Sequence, residues 1–291
     1  MVKRGEITDQ AWHQIELLLP EYGQSGGQWR DHRTVINGIL WKLRTGSPWR
    51  DLPERYGPWQ TCYDDRFVRW RRDGTWDLLL AHAQTKNDAV GEIEWEVSVD
   101  DTVIRAHQHA AGARGEPSAA DKKGLLNTED EALGRSRGGF STKLHLACDG
   151  KGRPLSVVLT AGQRHSSTQL EGLLDAVRVW HPEGSPGRPR KRPAHLLADR
   201  GYSFPRCREL LRRRGIPHTI PERKDQKERR VGRPGGRRPS FDREAYRRRN
   251  VVERCVNRLK QWRGIATRYE KRAVNYQAMV VIASLMMWLP S

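Results

Sequence analysis

The stretch Val-Ser-Val-Asp-Asp-Thr-Val-Ile at residues 97–104 decides the fold, because it is the first strand-like segment after a long helical region. Side chains of a β-strand alternate between its two faces. One face therefore carries Val97, Val99, Asp101 and Val103, and the other carries Ser98, Asp100 and Thr102. We expect the polar face to line a site, which makes Asp100 the first candidate carboxylate.

The segments that follow predict an α/β domain. Two strands, at 141–149 and 153–161, are joined by a glycine-rich turn and should form an antiparallel trio with the first. After them, helices and strands should alternate: helix 167–179, strand 195–198, helix 206–214, strand 217–220 and a final helix at 241–261. Three strands followed by this alternation is the order of a ribonuclease-H-like α/β fold.

The region before the first strand predicts a separate helical domain. Its helices are expected at 11–19 with Thr8 as the N-cap, at 33–43, and at 59–72. Arg66 and Arg69 of the third helix are expected on its exposed surface and are candidate DNA contacts. This pattern resembles a helix-turn-helix module, although a helical bundle without DNA-binding activity is the alternative. We therefore expect a DNA-binding domain at 1–90 and a catalytic domain at 91–291.

Charge indicates a polyanionic partner. The chain of 291 residues carries 53 Lys and Arg against 35 Asp and Glu, a net charge of +18. This balance favours nucleic acid, the alternative being a generally basic protein. The apolar run at 278–289 is too short to cross a bilayer and predicts a buried terminal helix, and the scattered cysteines indicate neither disulfides nor zinc. We expect a cytoplasmic protein without membrane contact.

Two segments rich in Pro, Gly and Arg, at 184–193 and 222–244, predict basic loops. The second loop has two interpretations, a track for the phosphate backbone or a solvated linker. Within it, Arg233 weakly resembles loops that enter the minor groove. His107 and Lys143 are two further candidate DNA contacts; His107 is more consistent with a loop than with a metal site, and Lys143 lies on a strand that could equally face solvent.

Two more carboxylates can complete a metal site with Asp100. Asp199 follows the apolar strand 195–198, at whose tip α/β sheets commonly bind ligands. In the final helix, spacings of three, four and seven residues place one set of polar side chains on a common face: Tyr246, Arg249, Glu253 and Lys260, with Asn257 beside them. The alternative is an ordinary surface ion pair between Arg249 and Glu253. Hard carboxylate oxygens suit Mg²⁺, and phosphodiester chemistry commonly uses two such ions.

These residues of the final helix, Tyr246, Arg249, Glu253 and Lys260, form a ladder along one face. The ladder resembles the Tyr-Arg-Glu-Lys signature of bacterial insertion-sequence transposases. Other stretches, among them those at 31–53, 99–115, 139–155, 196–202, 218–225 and 253–271, are similar to the insertion-sequence-five family. The resemblance implies a DDE transposase in which Asp100, Asp199 and Glu253 bind metal, while Tyr246, Arg249 and Lys260 grip transposon-end DNA. Two positions depart from the family pattern: Asp101 replaces a small residue, and Ser166 stands where Asp is common.

These residues together predict a function. We expect metal-dependent cleavage at terminal inverted repeats and strand transfer into target DNA, with two Mg²⁺ ions or Mn²⁺ in their place. The partners would be double-stranded DNA and a second copy of the chain in a dimer or larger synapse, at the bacterial nucleoid. The alternatives are a ribonuclease-H-like nuclease without strand transfer and an inactive, transposase-derived DNA-binding protein.

Overall fold

The computed structural model of the protein describes residues 5–21, 30–112, 131–136, 138–182, 185, 187–231 and 239–290. Within these ranges seven strands form one sheet: β1 Glu96–Ala106, β2 Gly134–Ser136, β3 Gly139–Cys148, β4 Pro154–Ala161, β5 His195–Ala198, β6 His218–Thr219 and β7 Thr267–Arg268. Five strands lie side by side in the order β4-β3-β1-β5-β6, and the short strands β2 and β7 pair with β3 and β1, respectively. β3 is antiparallel to β1 and β4, whereas β5 is parallel to β1 and β6. This arrangement confirms the ribonuclease-H-like fold.

The amino-terminal part is helical, as expected. It comprises α1 Asp9–Ile15, α2 His32–Thr45, α3 Trp59–Cys62, a π-helical segment Tyr63–Val68, α4 Arg69–Arg72 and α5 Thr75–Ala89. The hydroxyl of Thr8 caps α1 by accepting from the amide of Ala11. Gly46 ends α2 with φ at 71°, a left-handed conformation that glycine adopts without a Cβ clash.

The carboxyl-terminal half supplies the remaining helices. They are α6 Leu170–Ala176, α7 Pro205–Arg213, α8 Lys224–Val231, α9 Arg243–Arg248, α10 Asn250–Lys260, α11 Arg263–Ala266 and α12 Ala273–Trp288. α10 packs on β1 and β3, and α6 packs on β3 and β4. α12 is almost entirely buried between α5 and β4, which confirms the predicted terminal helix. Within the described ranges, no helix combines the length and apolarity that crossing a membrane requires.

Three predicted segments differ from the structure. α6 ends at Ala176, because the backbone of Val179 pairs with that of Arg190 instead of continuing the helix. Part of the predicted basic loop at 222–244 is the helix α8, in which Lys224 and Glu228 form an i,i+4 ion pair. The predicted final helix starts at Arg243 and is divided into α9 and α10 at Arg249.

Strand β4 has a ladder partner on only one side among the described strands, and helix side chains satisfy its outer carbonyls. The Gln84 amide donates to the carbonyls of Pro154 and Leu155 at 3.1 and 3.3 Å. The Trp288 indole also donates to Pro154, and Gln277 donates to Val157. These bonds attach α5 and α12 to the sheet and blunt an edge that would otherwise pair with another chain.

We expect Gln84→Leu to lower the free energy of unfolding by about 1–3 kcal/mol, because it leaves the carbonyl of Leu155 without its side-chain donor and removes one of the two donors to Pro154. Urea denaturation followed by circular dichroism measures the change. Gln10→Leu, at an exposed position of α1, is the matched control and should have little effect. Equal stability of Gln84→Leu and the unaltered protein would show that these bonds do not hold the edge.

Candidate active site

The sheet brings together the two aspartates that were predicted from the strands at 97–104 and 195–198. β1 and β5 are parallel, with Val99 opposite Ala198. The next residues are Asp100, which lies inside β1, and Asp199, which directly follows β5; they therefore lie side by side on neighbouring strands and on the same face of the sheet. Asp199 also accepts from the amide of Gly201 at 2.8 Å, which fixes its carboxylate at the start of the turn that follows β5.

Asp100 occupies a partly desolvated position, with a side chain 22% exposed. Burial raises the pKa of this carboxyl to about 6, and the negative charges of Asp199 and Asp101 act in the same direction. The Arg249 guanidinium and the backbone amide of Asp101, which donates to Asp100 Oδ1 at 2.9 Å, oppose the shift. A cation that approaches Asp100 therefore stabilises the charged form of its carboxylate.

Arg249 is the cation that this structure places there. It lies between α9 and α10, where the backbone forms hydrogen bonds of the i→i−3 type. In these bonds the amide of Arg249 donates to the carbonyl of Tyr246, and the amide of Val252 donates to the carbonyl of Arg249. Its guanidinium donates to Asp100 Oδ2 at 2.5 Å and to Glu253 Oε1 at 3.3 Å. Burial lowers the pKa of Arg249, but the surrounding carboxylates outweigh burial and the pKa is raised. Arg249 thus bridges the strand carboxylate and the helix carboxylate.

The other predicted residues of the ladder lie along the same helical region. Lys260 donates to the Thr102 hydroxyl at 2.7 Å, two residues beyond Asp100 on β1. Tyr246 is half-buried and packs against Phe241, with ring centroids 5.3 Å apart. Asn257 is exposed. The helical region therefore brings Arg249 and Lys260 to the polar face of β1, and the exposed Glu253 is connected to that face through Arg249.

The donor set of this site fits a hard divalent cation. Asp100, Asp199 and Glu253 offer only carboxylate oxygens, the ligands that Mg²⁺ and Mn²⁺ prefer. Among the described residues, however, no three His, Cys, Asp or Glu side chains are gathered closely enough to hold an ion as they stand. The guanidinium of Arg249 lies between two of the three carboxylates, so metal binding has to compete with it.

Tyr202 is a buried neighbour of the site that the sequence did not single out. It follows Asp199 by three residues in the turn after β5 and is 1% exposed. Its hydroxyl has no hydrogen-bond partner within the described ranges. Burial raises the pKa of this phenol well above its ordinary value, and the charges of Asp101, Asp100 and Asp199 add to the effect. Its position within a stretch similar to the transposase family was the available signal.

Asp101 and Lys143 lie on the opposite face of β1 from Asp100. The register places Asp101 opposite His145 and Val103 opposite Lys143. Lys143 Nζ lies 3.7 Å from Asp101 Oδ1 and donates to the carbonyl of Arg164 at 2.7 Å. Its side chain is 13% exposed. The negative charge of Asp101 is therefore neutralised by Lys143 on the face of the sheet opposite Asp100. This position of Lys143 does not favour the predicted phosphate contact.

The predicted exposure of Arg66 is wrong. The side chain is 2% exposed and its guanidinium donates to His32 Nδ1 and to the carbonyl of Asp65. The π-helical segment that contains it turns the helix away from the regular period, so Arg66 faces the core beside Trp70. Arg69, in contrast, is exposed as expected.

His107 and Arg233 complete the predicted set. His107 follows β1 and packs against the rings of His109 and Tyr269, with centroids at 4.4 and 5.1 Å. It lines a cavity of about 660 Å³ between the amino-terminal helices and the residues at the start of α12. Arg233 lies outside the described residues.

The solvent side of α10 carries two arginines that sequence reasoning missed. Arg254 and Arg258 are exposed and have no ion-pair or hydrogen-bond partner for their side chains among the described residues. The available signal was their i,i+4 spacing immediately after Glu253.

We expect Lys143→Met to lower the free energy of unfolding by about 0.5–1.5 kcal/mol, because it removes the ion-pair partner of Asp101 and the hydrogen bond to the exposed Arg164 carbonyl. DNA affinity and its salt dependence should not change, since Lys143 lies behind the strand. Urea denaturation and fluorescence anisotropy with a labelled duplex measure the two quantities. A reduced salt dependence of binding with unchanged stability would support the phosphate contact instead.

Comparison with known proteins identifies relatives of both halves of the chain. Residues 7–80 match a family described as "Putative transposase of IS4/5 family". A protein of Sinorhizobium fredii, "Uncharacterized protein y4sN", is 38% identical over 110 residues, which are 37% of this chain and 82% of the relative. The "Putative transposase for insertion sequence element IS402" of Burkholderia cepacia is 34% identical over 150 residues, 52% of this chain and 63% of the relative.

A solved structure and a second family model complete the comparison. The cryo-EM structure of a piggyBac transposase synaptic complex with hairpin DNA aligns with 96% of this chain and 71% of its own, at 11% identity and a TM-score of 0.45. The model of the transposase DDE domain matches residues 92–288. Because that match covers more than half of the chain and contains all three candidate carboxylates, the protein belongs to the transposase DDE domain family.

Proposed function

We propose that the protein cleaves DNA at the terminal inverted repeats of its insertion sequence and transfers the freed ends into target DNA. The observation that carries the proposal is the convergence of Asp100, Asp199 and Glu253 around Arg249 on the polar face of β1. Membership of the DDE family implies that the reaction uses divalent metal ions. We propose Mg²⁺, with two ions bound and with Mn²⁺ as an alternative.

The residues of the site have distinct roles in this proposal. Asp100, Asp199 and Glu253 would hold the metal ions, which supply charge neutralisation at phosphorus and an activated water. Arg249 and Lys260 would keep the strand and helix together and offer positive charge to the phosphate. Hydrolysis breaks one phosphodiester bond and leaves a 3′-OH; that hydroxyl then attacks a target phosphodiester, and the target 3′-OH leaves. No covalent bond to the protein is needed.

The remaining parts of the chain fit this reaction. We propose that the helices of residues 1–90 recognise the inverted repeat and that residues 91–291 form the catalytic domain. A net charge of +18 supports binding to double-stranded DNA. Because two transposon ends are processed together, a homodimer or higher oligomer is the expected assembly, and the bacterial nucleoid in the cytoplasm is the expected place of action.

We expect Asp199→Asn to abolish metal-dependent cleavage of labelled DNA that carries the element's own ends, because one metal ligand loses its charge. Asp100→Asn and Glu253→Gln should do the same. Binding of the DNA should persist in all three variants, as measured by gel shift. The control variant Glu209→Gln, which changes an exposed carboxylate of α7, should cleave normally.

Two results would redirect the proposal. End binding without cleavage in Mg²⁺ or Mn²⁺ by the unaltered protein would favour the transposase-derived DNA-binding protein. Nicked ends that never join to a target plasmid would favour the nuclease without strand transfer.

We expect Arg249→Gln to make the stability of the protein depend strongly on Mg²⁺. Removing the guanidinium leaves Asp100 and Glu253 without their shared cation, and a bound metal ion would then be their main source of neutralisation. The melting temperature should fall without metal, and added Mg²⁺ should raise it more than it does for the unaltered protein. Differential scanning fluorimetry over a Mg²⁺ series, with Arg247→Gln as the control, measures this. An identical Mg²⁺ response in all three proteins would argue against metal binding at these carboxylates.

A further inference from the structure

The solvent side of α10 is built as a positively charged face beside the carboxylates. At 100° per residue, Arg254 and Arg258 lie about 40° apart around the helix and about 6 Å apart along it. Asn257 lies between them and Glu253 in angle, and all four side chains are exposed. Around the helix, the exposed surface therefore runs continuously from Glu253 through Asn257 to the two arginines, with no buried residue between them.

The absence of countercharge distinguishes these two arginines from several other exposed arginines nearby. Arg247 pairs with Glu244 at 2.8 Å, and Arg248 pairs with Glu96 at 2.7 Å. Between helices α6 and α7, the half-buried Arg214 also has a partner and bonds to Asp175 at 2.9 Å. Arg254 and Arg258 have no such partner among the described residues. Two like charges at i and i+4 repel, so placing these two arginines next to each other adds nothing to helix stability beyond the favourable position of Arg258 in the last turn.

The helix that carries them is held rigidly on the sheet. Its opposite side buries Val251, Val252, Cys255 and Leu259. The β3–β4 turn fits closely beneath it, because Gly152 has φ at 77° and a Cβ there would lie 3.1 Å from the Val251 side chain. Phosphate contacts made from such a helix are fixed in position relative to Glu253.

We propose that Arg254 and Arg258 bind the DNA backbone next to the phosphate that is cleaved, with Asn257 between them and the carboxylates. The inference rests on the proposed DNA cleavage and names the surface over which the cleaved strand leaves the site. The strand crosses the solvent side of α10, and the two guanidiniums contact two phosphates on one side of the scissile bond. These contacts position DNA irrespective of its base sequence.

The test measures how DNA affinity depends on salt. Fluorescence anisotropy, in the absence of divalent metal, follows the unaltered protein, the double variant Arg254→Gln/Arg258→Gln, and Arg247→Gln on a labelled duplex that carries the element's end. The slope of log affinity against log salt concentration should become shallower by about 1.8 in the double variant, since each lost phosphate contact contributes about 0.9. Arg247→Gln, whose side chain is already ion-paired, should leave the slope nearly unchanged.

A second measurement locates the contacts on the DNA. Single methylphosphonate substitutions remove the charge of one phosphate at a time around the cleavage position. In the unaltered protein, neutralising the contacted phosphates should weaken binding, and in the double variant the same substitutions should have little further effect.

The outcomes distinguish a failure of the proposed DNA-binding surface from a failure of the proposed function. Additive effects at every phosphate near the cleavage position, or an unchanged salt slope in a folded double variant, would overturn the proposed surface while cleavage by the unaltered protein still supports transposition. An unaltered protein that neither binds nor cleaves the end would overturn the proposed function itself. Circular dichroism establishes that the variants are folded, which the exposure of both positions leads us to expect.

Discussion

The contact of Arg249 with Asp100 and Glu253 is the interaction on which the site depends. A strand and a helix can carry carboxylates to one place only if something offsets their repulsion and the loss of solvation. Even with Arg249 present, burial keeps the pKa of Asp100 raised to about 6. The structure therefore holds a carboxylate that is only partly compensated, and a divalent cation supplies more charge in less space than a guanidinium does.

The backbone around Arg249 follows from the same constraint. α9 and α10 meet at this residue, where the backbone forms i→i−3 hydrogen bonds, and the side chain is buried against Asp100 of β1 rather than exposed to solvent. A regular helix pattern predicted a continuous element at 241–261, because propensity and spacing do not contain the tertiary contact that favours the break. The ladder of polar residues was predictable, whereas the bridging role of its arginine was not.

Much of the sheet could be predicted because its signals are local. The alternation at 97–104 assigned Asp100 to the polar face, and the apolar strand before Asp199 assigned that residue to a strand end. The face of Lys143 could not be assigned from its own strand, since it depends on the register between β1 and β3. The predicted exposure of Arg66 was wrong for a related reason. A π-helical segment adds about 100° of rotation around the helix axis for each inserted residue, and nothing in the residue pattern marks such a segment.

Helix α10 shows how one element can serve three purposes at once. One side is apolar and packs on the sheet, a second side carries Lys260, which bonds to β1, and Glu253, which bonds to Arg249, and a third presents Arg254 and Arg258 to solvent. Elsewhere on the surface many arginines are paired with carboxylates, so the net charge of +18 overstates the attraction that any single region exerts on DNA. Near the carboxylates, unpaired positive charge has to offset the repulsion between the site and a phosphate, and a helix fixed by its buried side can supply that charge at a constant distance.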